Sequence, residues 1–497
     1  MIKDTENNVF LDLEKVPLRS ERQERRQKRL RNFLIVLMCI FFFAMGTIFG
    51  YFLIKSVHPS YKADTKNTMG EIEYILDHYW LYSSDYDDLT TELENKALYG
   101  MTNFADDPYT SYMSSEEMEE FSNSINMNYV GIGVQYSYVN GIALINKVFK
   151  DSPAEKAGVL AGDIMKAVDG ISLEDKTSDD IKEMVIGEEG TDVVLSVLRG
   201  GEIIDITITR GEVDSTVYAY KENDYVVLEI NSFGVDSGDR CITYLDQYTD
   251  LHKIIIDLRD NSGGYQSSVK DISGLFIGDN KIYLREKDSK GVETVDTTSA
   301  KKVYDNFTDY VVLVNENTAS AAEVLAICLR EQLKNVILIG TTTYGKGVIQ
   351  TNRLLNNDGV LKLTAYYWYS PNGVSIDKVG IVPDIEVRDH DIYYEYYYQF
   401  ADDEQYAYDC VAEAVRTSEL GLDFLDYDVD RTDGYFDRSF ETALIEFQRK
   451  NGLEPDGILN GRTYEAIVSE VNREMANNKD KDLQMKKAKE ILNANYY

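Results

Sequence analysis

From Phe33 to Ile54 the chain reads "FLIVLMCIFFFAMGTIFGYFLI", without one charged residue. A run of that length and apolarity is enough to cross a bilayer as a helix of roughly 20 residues. It also separates two parts of opposite charge. Residues 1–31, which contain "RSERQERRQKRLR", hold nine Lys/Arg against six Asp/Glu, and the remainder holds 42 against 80. The cationic flank keeps the N-terminus in the cytoplasm, so everything after Lys55 lies outside the cell membrane. A cleaved signal peptide is the rival, but the run is long and lacks a clear small-x-small cleavage site. Residues 1–31 are thus expected to be a cytoplasmic basic segment, and residues 32–54 an uncleaved transmembrane helix.

A chain of 497 residues exceeds one ordinary domain, and 43% hydrophobic content supports packed cores. The net charge of -35 argues against nucleic acid, whose phosphates need a basic surface. Cys39, Cys241, Cys328 and Cys410 are scattered, with no CxxC or Cys/His spacing. That pattern gives neither a zinc site nor a disulfide framework, and these residues read as small buried apolar groups. No metal or cofactor is implied.

Patterning then divides the external part. Residues 64–127 carry apolar residues at helical spacing ("MGEIEYILDHYWLY", "LTTELENKALYGM"), interrupted by a turn-like "DDPYTSYM". Residues 128–212 alternate short strands with glycine turns around two helical pieces, "SPAEKAGV" and "TSDDIKEMVI", as a compact α+β module. In residues 213–390 the runs "YVVLEINSF", "KIIIDLRDN", "YVVLVNEN" and "NVILIGTTT" look buried on both faces, as in a sheet covered by helices. Residues 405–472 hold three helical segments, and residues 473–497 read as a polar, solvated helical tail. The fold class is multidomain α/β and α+β.

"GTTTYGKGV" nearly spells a phosphate-binding loop at Lys346. A phosphate loop needs Ser or Thr after the lysine and a helix whose amides meet the anion. Here Gly347 follows, and "VIQTNRLL" reads as a strand. Upstream, "NENTASAAEVLA" sets Ser320 where a strand end meets a helix start, flanked by alanines that let another chain approach. Alone, such a serine is usually only a helix cap. Its company changes the reading, because "LRDNSGGY" ends a second strand with a glycine pair and Lys346 ends a third. A serine nucleophile needs a base. The chain has four histidines, His58, His78, His252 and His390, none in a motif, and His252 belongs at the opposite end of its strand. A lysine serves instead if burial lowers its pKa.

These stretches resemble the carboxyl-terminal processing peptidases, or tail-specific proteases, which are Ser/Lys endopeptidases. The resemblance covers roughly residues 64–388 and includes "DDPYTSYM", "GIGVQ", "SPAEKAGVLAGDIMKAVDG", "LRDNSGGY", "NENTASAAE", "TYGKGVIQ", "LTAYYWYSPNGVSID" and "VGIVPDIEV", all in family order. It implies Ser320 as nucleophile, Lys346 as general base and Gln350 as the residue that positions the lysine. It further implies an oxyanion hole from the amides of Gly263 and Ala321. The interval from serine to lysine is one residue longer than the family's usual one, and "REQLKN" carries the extra residue. Residues 128–212 resemble a PDZ domain whose carboxylate loop is Gly131, Ile132, Gly133 and Val134, followed by a strand edge that a peptide extends. Arg199 and Arg210 are candidate links from that domain to the protease core, neither assigned. Residues 405–472, with "DGYFDRSFETALIEFQRKNGLEPDGILNGRTYEAI", resemble a peptidoglycan-binding module.

The resulting expectation is a serine endopeptidase anchored in the membrane of a Gram-positive bacterium, acting outside the cell on protein C-terminal tails. Its partners are protein substrates, peptidoglycan and the membrane, with self-association into a homo-oligomer left open. The alternative is a non-catalytic, wall-associated scaffold that binds tails, against which the joint presence of Ser320, Lys346 and Gln350 argues.

Overall fold

The computed structural model describes residues 26–47 and 68–494, apart from 39, 44, 46, 128, 140, 214, 215, 396 and 402. Residues 26–38 are helical. Among the described residues no helix is long and apolar enough to cross a membrane, and the expected span 32–54 lies partly outside them. The described residues up to 98 form one compact unit and those from 99 onward a second. The first contains helix Thr68–Tyr79, the short turn Ser83–Asp85 and the start of helix Leu89–Thr102.

The second unit is built on a six-stranded sheet. Its spatial order is Val217–Glu222, Tyr225–Ile230, Lys253–Asp257, Asp309–Val314, Val336–Gly340 and Ile385–Glu386. The first pair is antiparallel, and every later neighbour is parallel. Because strand side chains alternate between faces, a continuous apolar run must be covered twice. Val226, Leu228, Ile254, Ile256 and Val312 pack against helices Ser237–Leu245, Gln266–Ile277 and Ala321–Gln332. Tyr225, Val227, Ile255, Val311 and Leu313 meet Met485, Ala488, Ile491 and Leu492.

That second cover corrects the expectation of a solvated tail. Helix Leu483–Asn493 carries lysines outward, but Met485, Ala488 and Leu492 recur at helical spacing and are buried on the sheet. Asp482 caps it by accepting from the Met485 N–H at 2.8 Å. The same carboxylate receives Arg259 Nη1 at 2.9 Å, and Arg259 also holds Asp257 at the end of its strand. The C-terminus is thereby tied to the segment that leads into "DNSGGY".

A second, antiparallel sheet joins Ser111–Met113, Val360–Tyr369, Ile282–Asp288 and Glu293–Thr297, with Val348–Leu354 also paired to Val360–Tyr369. The turn expected in "DDPYTSYM" therefore runs into a sheet strand. Within residues 129–213, an open antiparallel sheet runs Val134–Val139, Ile142–Val148, Ile164–Val168, Asp192–Arg199 and Glu202–Thr209, with Val134–Val139 at its edge, and Tyr129–Gly131 pairs separately with Gly211–Val213. Helices Glu413–Phe424, Arg438–Lys450 and Gly461–Asn477 share a core with Ile142, Leu144, Ile164 and Leu198 of that sheet. Lys166 and Glu465 pair across the junction at 2.7 Å.

Candidate active site

Strand Asp309–Val314 ends in a tight turn that delivers Ser320 to the N-cap of helix Ala321–Gln332. Ser320 has φ 55° and ψ -118°, a backbone conformation costly for any residue with a Cβ. Something must hold it there. The Ser320 N–H donates to Glu323 Oε2 at 2.9 Å. Glu323 is fully buried, and its carboxylate gathers three further donors. Oε1 accepts from Thr343 Oγ1 at 2.5 Å and from the Gly345 N–H at 2.7 Å, and Oε2 accepts from the Lys346 N–H at 2.9 Å. Burial pushes this carboxyl above the usual range, while the four donors pull the other way.

One carboxylate thus ties the turn bearing Ser320 to the loop bearing Lys346. The amides that a phosphate loop would aim at a nucleotide are spent on Glu323. The strand Val348–Leu354 follows directly, so no helix N-terminus lies beyond the lysine. On its other side, the Lys346 carbonyl accepts from Trp368 Nε1 at 2.7 Å. Gly345, at φ 86°, lets the loop pass where a Cβ would come within 2.7 Å of the Gly380 nitrogen.

The Lys346 side chain projects 4.7 Å above the ring of Tyr109. Tyr109 is held by Asp107, whose Oδ1 accepts from the Tyr109 N–H at 3.1 Å and from Thr364 Oγ1 at 3.0 Å. Burial lowers the Lys346 ammonium below the ordinary lysine value, and the nearby charge of Lys362 adds to this, with Glu323 opposing. The histidines stand elsewhere. His252 precedes strand Lys253–Asp257, which runs parallel to the strand whose far end carries Ser320, and its Nδ1 lies 2.9 Å from the Asn306 carbonyl. His390 pairs with Asp423, and His58 lies outside the described residues.

A cavity of about 530 Å³ is lined by Ser320, Lys346, Gln350, Gly263 and Ala321. Gln350 sits at a β-bulge in strand Val348–Leu354, and its Nε2 is buried without a hydrogen-bond partner among the described residues. Gly263 (φ 108°) approaches so closely that a Cβ there would lie 2.8 Å from Ser320 Cβ. Its N–H, however, donates to Asn261 Oδ1 at 2.8 Å. The expected pairing of the Gly263 and Ala321 amides around an oxyanion therefore requires Asn261 to let go. The Gly264 N–H makes no hydrogen bond among the described residues.

Gly131, Ile132, Gly133 and Val134 are not part of this cavity's lining. They enter the edge strand Val134–Val139, with Ile132 buried and its carbonyl accepting from the Ala154 N–H at 2.7 Å. Arg199 and Arg210 are spent inside their own module, on Asp163 at 2.7 Å and the Val185 carbonyl at 3.0 Å. Lys147 does reach the core, donating to Glu229 at 3.1 Å and to Asn231 at 3.0 Å.

A strained serine, a half-buried lysine and two glycine-lined strand ends surround one cavity, an arrangement that suits hydrolysis of the serine class. Comparison with known proteins gives the family. Residues 224–387 match peptidase family S41, residues 130–209 a PDZ domain and residues 411–467 a peptidoglycan binding domain. A CtpA-like serine protease of Staphylococcus saprophyticus is 30% identical over 478 residues, spanning 94% of this chain and 95% of that one. Another, from Staphylococcus aureus, is 30% identical over 456 residues, spanning 90% of each. The structure of a photosystem II D1 C-terminal processing protease aligns with 64% of this chain and 92% of its own, at 22% identity and a TM-score of 0.41. The chain belongs to the CtpA-like serine proteases of peptidase family S41.

The sequence reading missed Glu323, Tyr109 and Lys362. Glu323 was within reach, since Ser-x-x-Glu at a helix start is the signature of a capping box. Tyr109 lies in the quoted "DDPYTSYM", but nothing local says that this turn reaches Lys346, and Lys362 comes from a distant strand that no local pattern marks.

Proposed function

We propose that this peptidase uses Ser320 as its nucleophile and Lys346 as the general base, and acts outside the cell membrane on the C-terminal tails of proteins. The observation that carries the dyad is the Glu323 carboxylate, which hydrogen-bonds the backbone of both residues. In the reaction, the neutral Lys346 amine takes the Ser320 proton as Oγ attacks the peptide carbonyl, and returns it to the leaving amine. Water, activated by the same amine, then releases the acyl group. The Ala321 amide, at the first turn of its helix, is aimed at the developing oxyanion, with Gly263 or Gly264 as second donor. Gln350 orients the amine without adding a charge that would hold it protonated.

Tail recognition rests on the edge strand Val134–Val139 beside the loop Gly131 to Val134, to which an extended peptide adds with its carboxylate on the loop amides. Anchoring rests on the uncharged run Phe33 to Ile54; Phe33, Leu34, Ile35, Val36 and Leu37 are all exposed on their helix. The wall of a Gram-positive cell is the setting that a peptidoglycan binding domain fits. The full chain in detergent should cleave an unstructured protein such as casein, and Ser320→Ala should abolish this while leaving thermal unfolding unchanged. Cleavage by Ser320→Ala at near the wild-type rate would overturn the assignment.

A further inference from the structure

The cavity around Ser320 has a charge opposite to that of the molecule. The chain carries 86 Asp/Glu against 51 Lys/Arg, yet the residues lining this cavity include two lysines, Lys346 and Lys362, and no Asp or Glu. If Lys346 is the base, it works as a neutral amine, and Lys362 remains as the cavity's charge. Lys362 lies on strand Val360–Tyr369, in register with Asn352 on the neighbouring strand, and Asn352 lines the cavity too. Its Nζ stands 4.7 Å above the ring of Phe121, and it makes no ion pair among the described residues. Most other partly buried lysines here have found an acid: Lys147 has Glu229, Lys166 has Glu465 and Lys253 has Asp224. A partly desolvated ammonium without a counter-charge is costly, and burial accordingly lowers its proton affinity.

We propose that Lys362 is a subsite for a carboxylate of the substrate, seated beside the scissile bond. The inference rests on the peptidase reading above and adds a chemical preference to it. An anionic group entering the cavity completes the ion pair that the protein leaves open, with the Asn352 amide as a neighbouring donor. Two sources present that chemistry: an Asp or Glu side chain near the cleavage point, or the free α-carboxylate of a short tail.

Two peptide series separate them, cleaved by the full-length chain in detergent. In the first, Glu or Gln is placed at successive positions on either side of the scissile bond, and the C-terminus is amidated. In the second, the side chains are neutral and the C-terminus is free or amidated. The wild type should favour the carboxylate by about tenfold in kcat/KM in one series, which names the source. Lys362→Met should bring that ratio close to one, Lys362→Arg should preserve it, and Lys362→Glu should transfer the preference to Lys-bearing peptides. The Arg and Glu variants carry the test if the Met variant does not fold. Equal rates for both members of every wild-type pair, or a preference that survives Lys362→Met, would overturn the proposal. The neutral peptides report peptidase activity by themselves, so a wild type that cleaves no peptide overturns the peptidase reading instead.

Discussion

As the proposed base, Lys346 must be neutral to accept a proton, and free lysine titrates at about 10.4. Its folded-state value is lowered, first by burial and then by Lys362. Activity should therefore rise with pH through a limb below the ordinary lysine value. Lys346→Arg should be as inactive as Lys346→Ala, because guanidinium stays protonated. Robust cleavage by the arginine variant, with a flat pH profile, would exclude the dyad. Glu323 makes a different demand. Its two oxygens accept from four donors, and Glu323→Gln turns one acceptor into an amide that faces N–H groups. Each orphaned buried donor costs about 1–3 kcal/mol. We expect Glu323→Gln to lose both activity and thermal stability, and Glu323→Asp to recover part of the stability. Unchanged melting in Glu323→Gln would show the carboxylate to be dispensable to the loop.

At the scale of elements, the sequence made the strands of the core and the turns at their ends legible, because each is a short apolar run closed by glycine or a small residue. Period 2 placed Val226 and Val227 on opposite faces, but it did not say what covers the second face. The cover comes from the last helix, whose stripe of Met485, Ala488, Ile491 and Leu492 is thin against its many polar residues. Contacts this distant in sequence leave no local trace. The Gly263 amide is a similar case: "NSGGY" announces a glycine loop, but which amide stays free depends on where Asn261 turns its side chain. The buried stripe has a measurable consequence. Leu492→Ala should cost about 2–5 kcal/mol, as deletion of a fully buried leucine does. It should appear as a lower midpoint in the unfolding of the protease core. A shift under half a degree would mean that the helix detaches before the core unfolds.

Within the unit that begins at residue 99, the C-terminal helices touch both the PDZ sheet and the protease sheet. Helix Gly461–Asn477 lies on the PDZ sheet, where Ser469 Oγ donates to the Gly162 carbonyl at 2.6 Å, and the next helix crosses to the protease sheet. A chain stopped at about residue 395 loses more than the peptidoglycan binding domain. It uncovers Tyr225, Val227, Ile255, Val311 and Leu313, and it strips Asp482 from Arg259 beside the loop of Gly263. Such a chain should fail to sediment with purified cell walls and should also fail to cleave casein. Gly162→Val separates the two effects. At φ 89°, a Cβ there would meet the Ser469 carbonyl oxygen at 2.4 Å, so the helix must leave the PDZ sheet. The helix over the protease sheet has its own anchors in Asp482 and Leu492. Gly162→Val should therefore keep wall sedimentation and casein cleavage, while the junction between PDZ and C-terminal domains becomes open to limited proteolysis. Full casein activity in the chain ending at 395 would show that the protease sheet does not need its second cover, and would reduce the C-terminal domain to a wall tether.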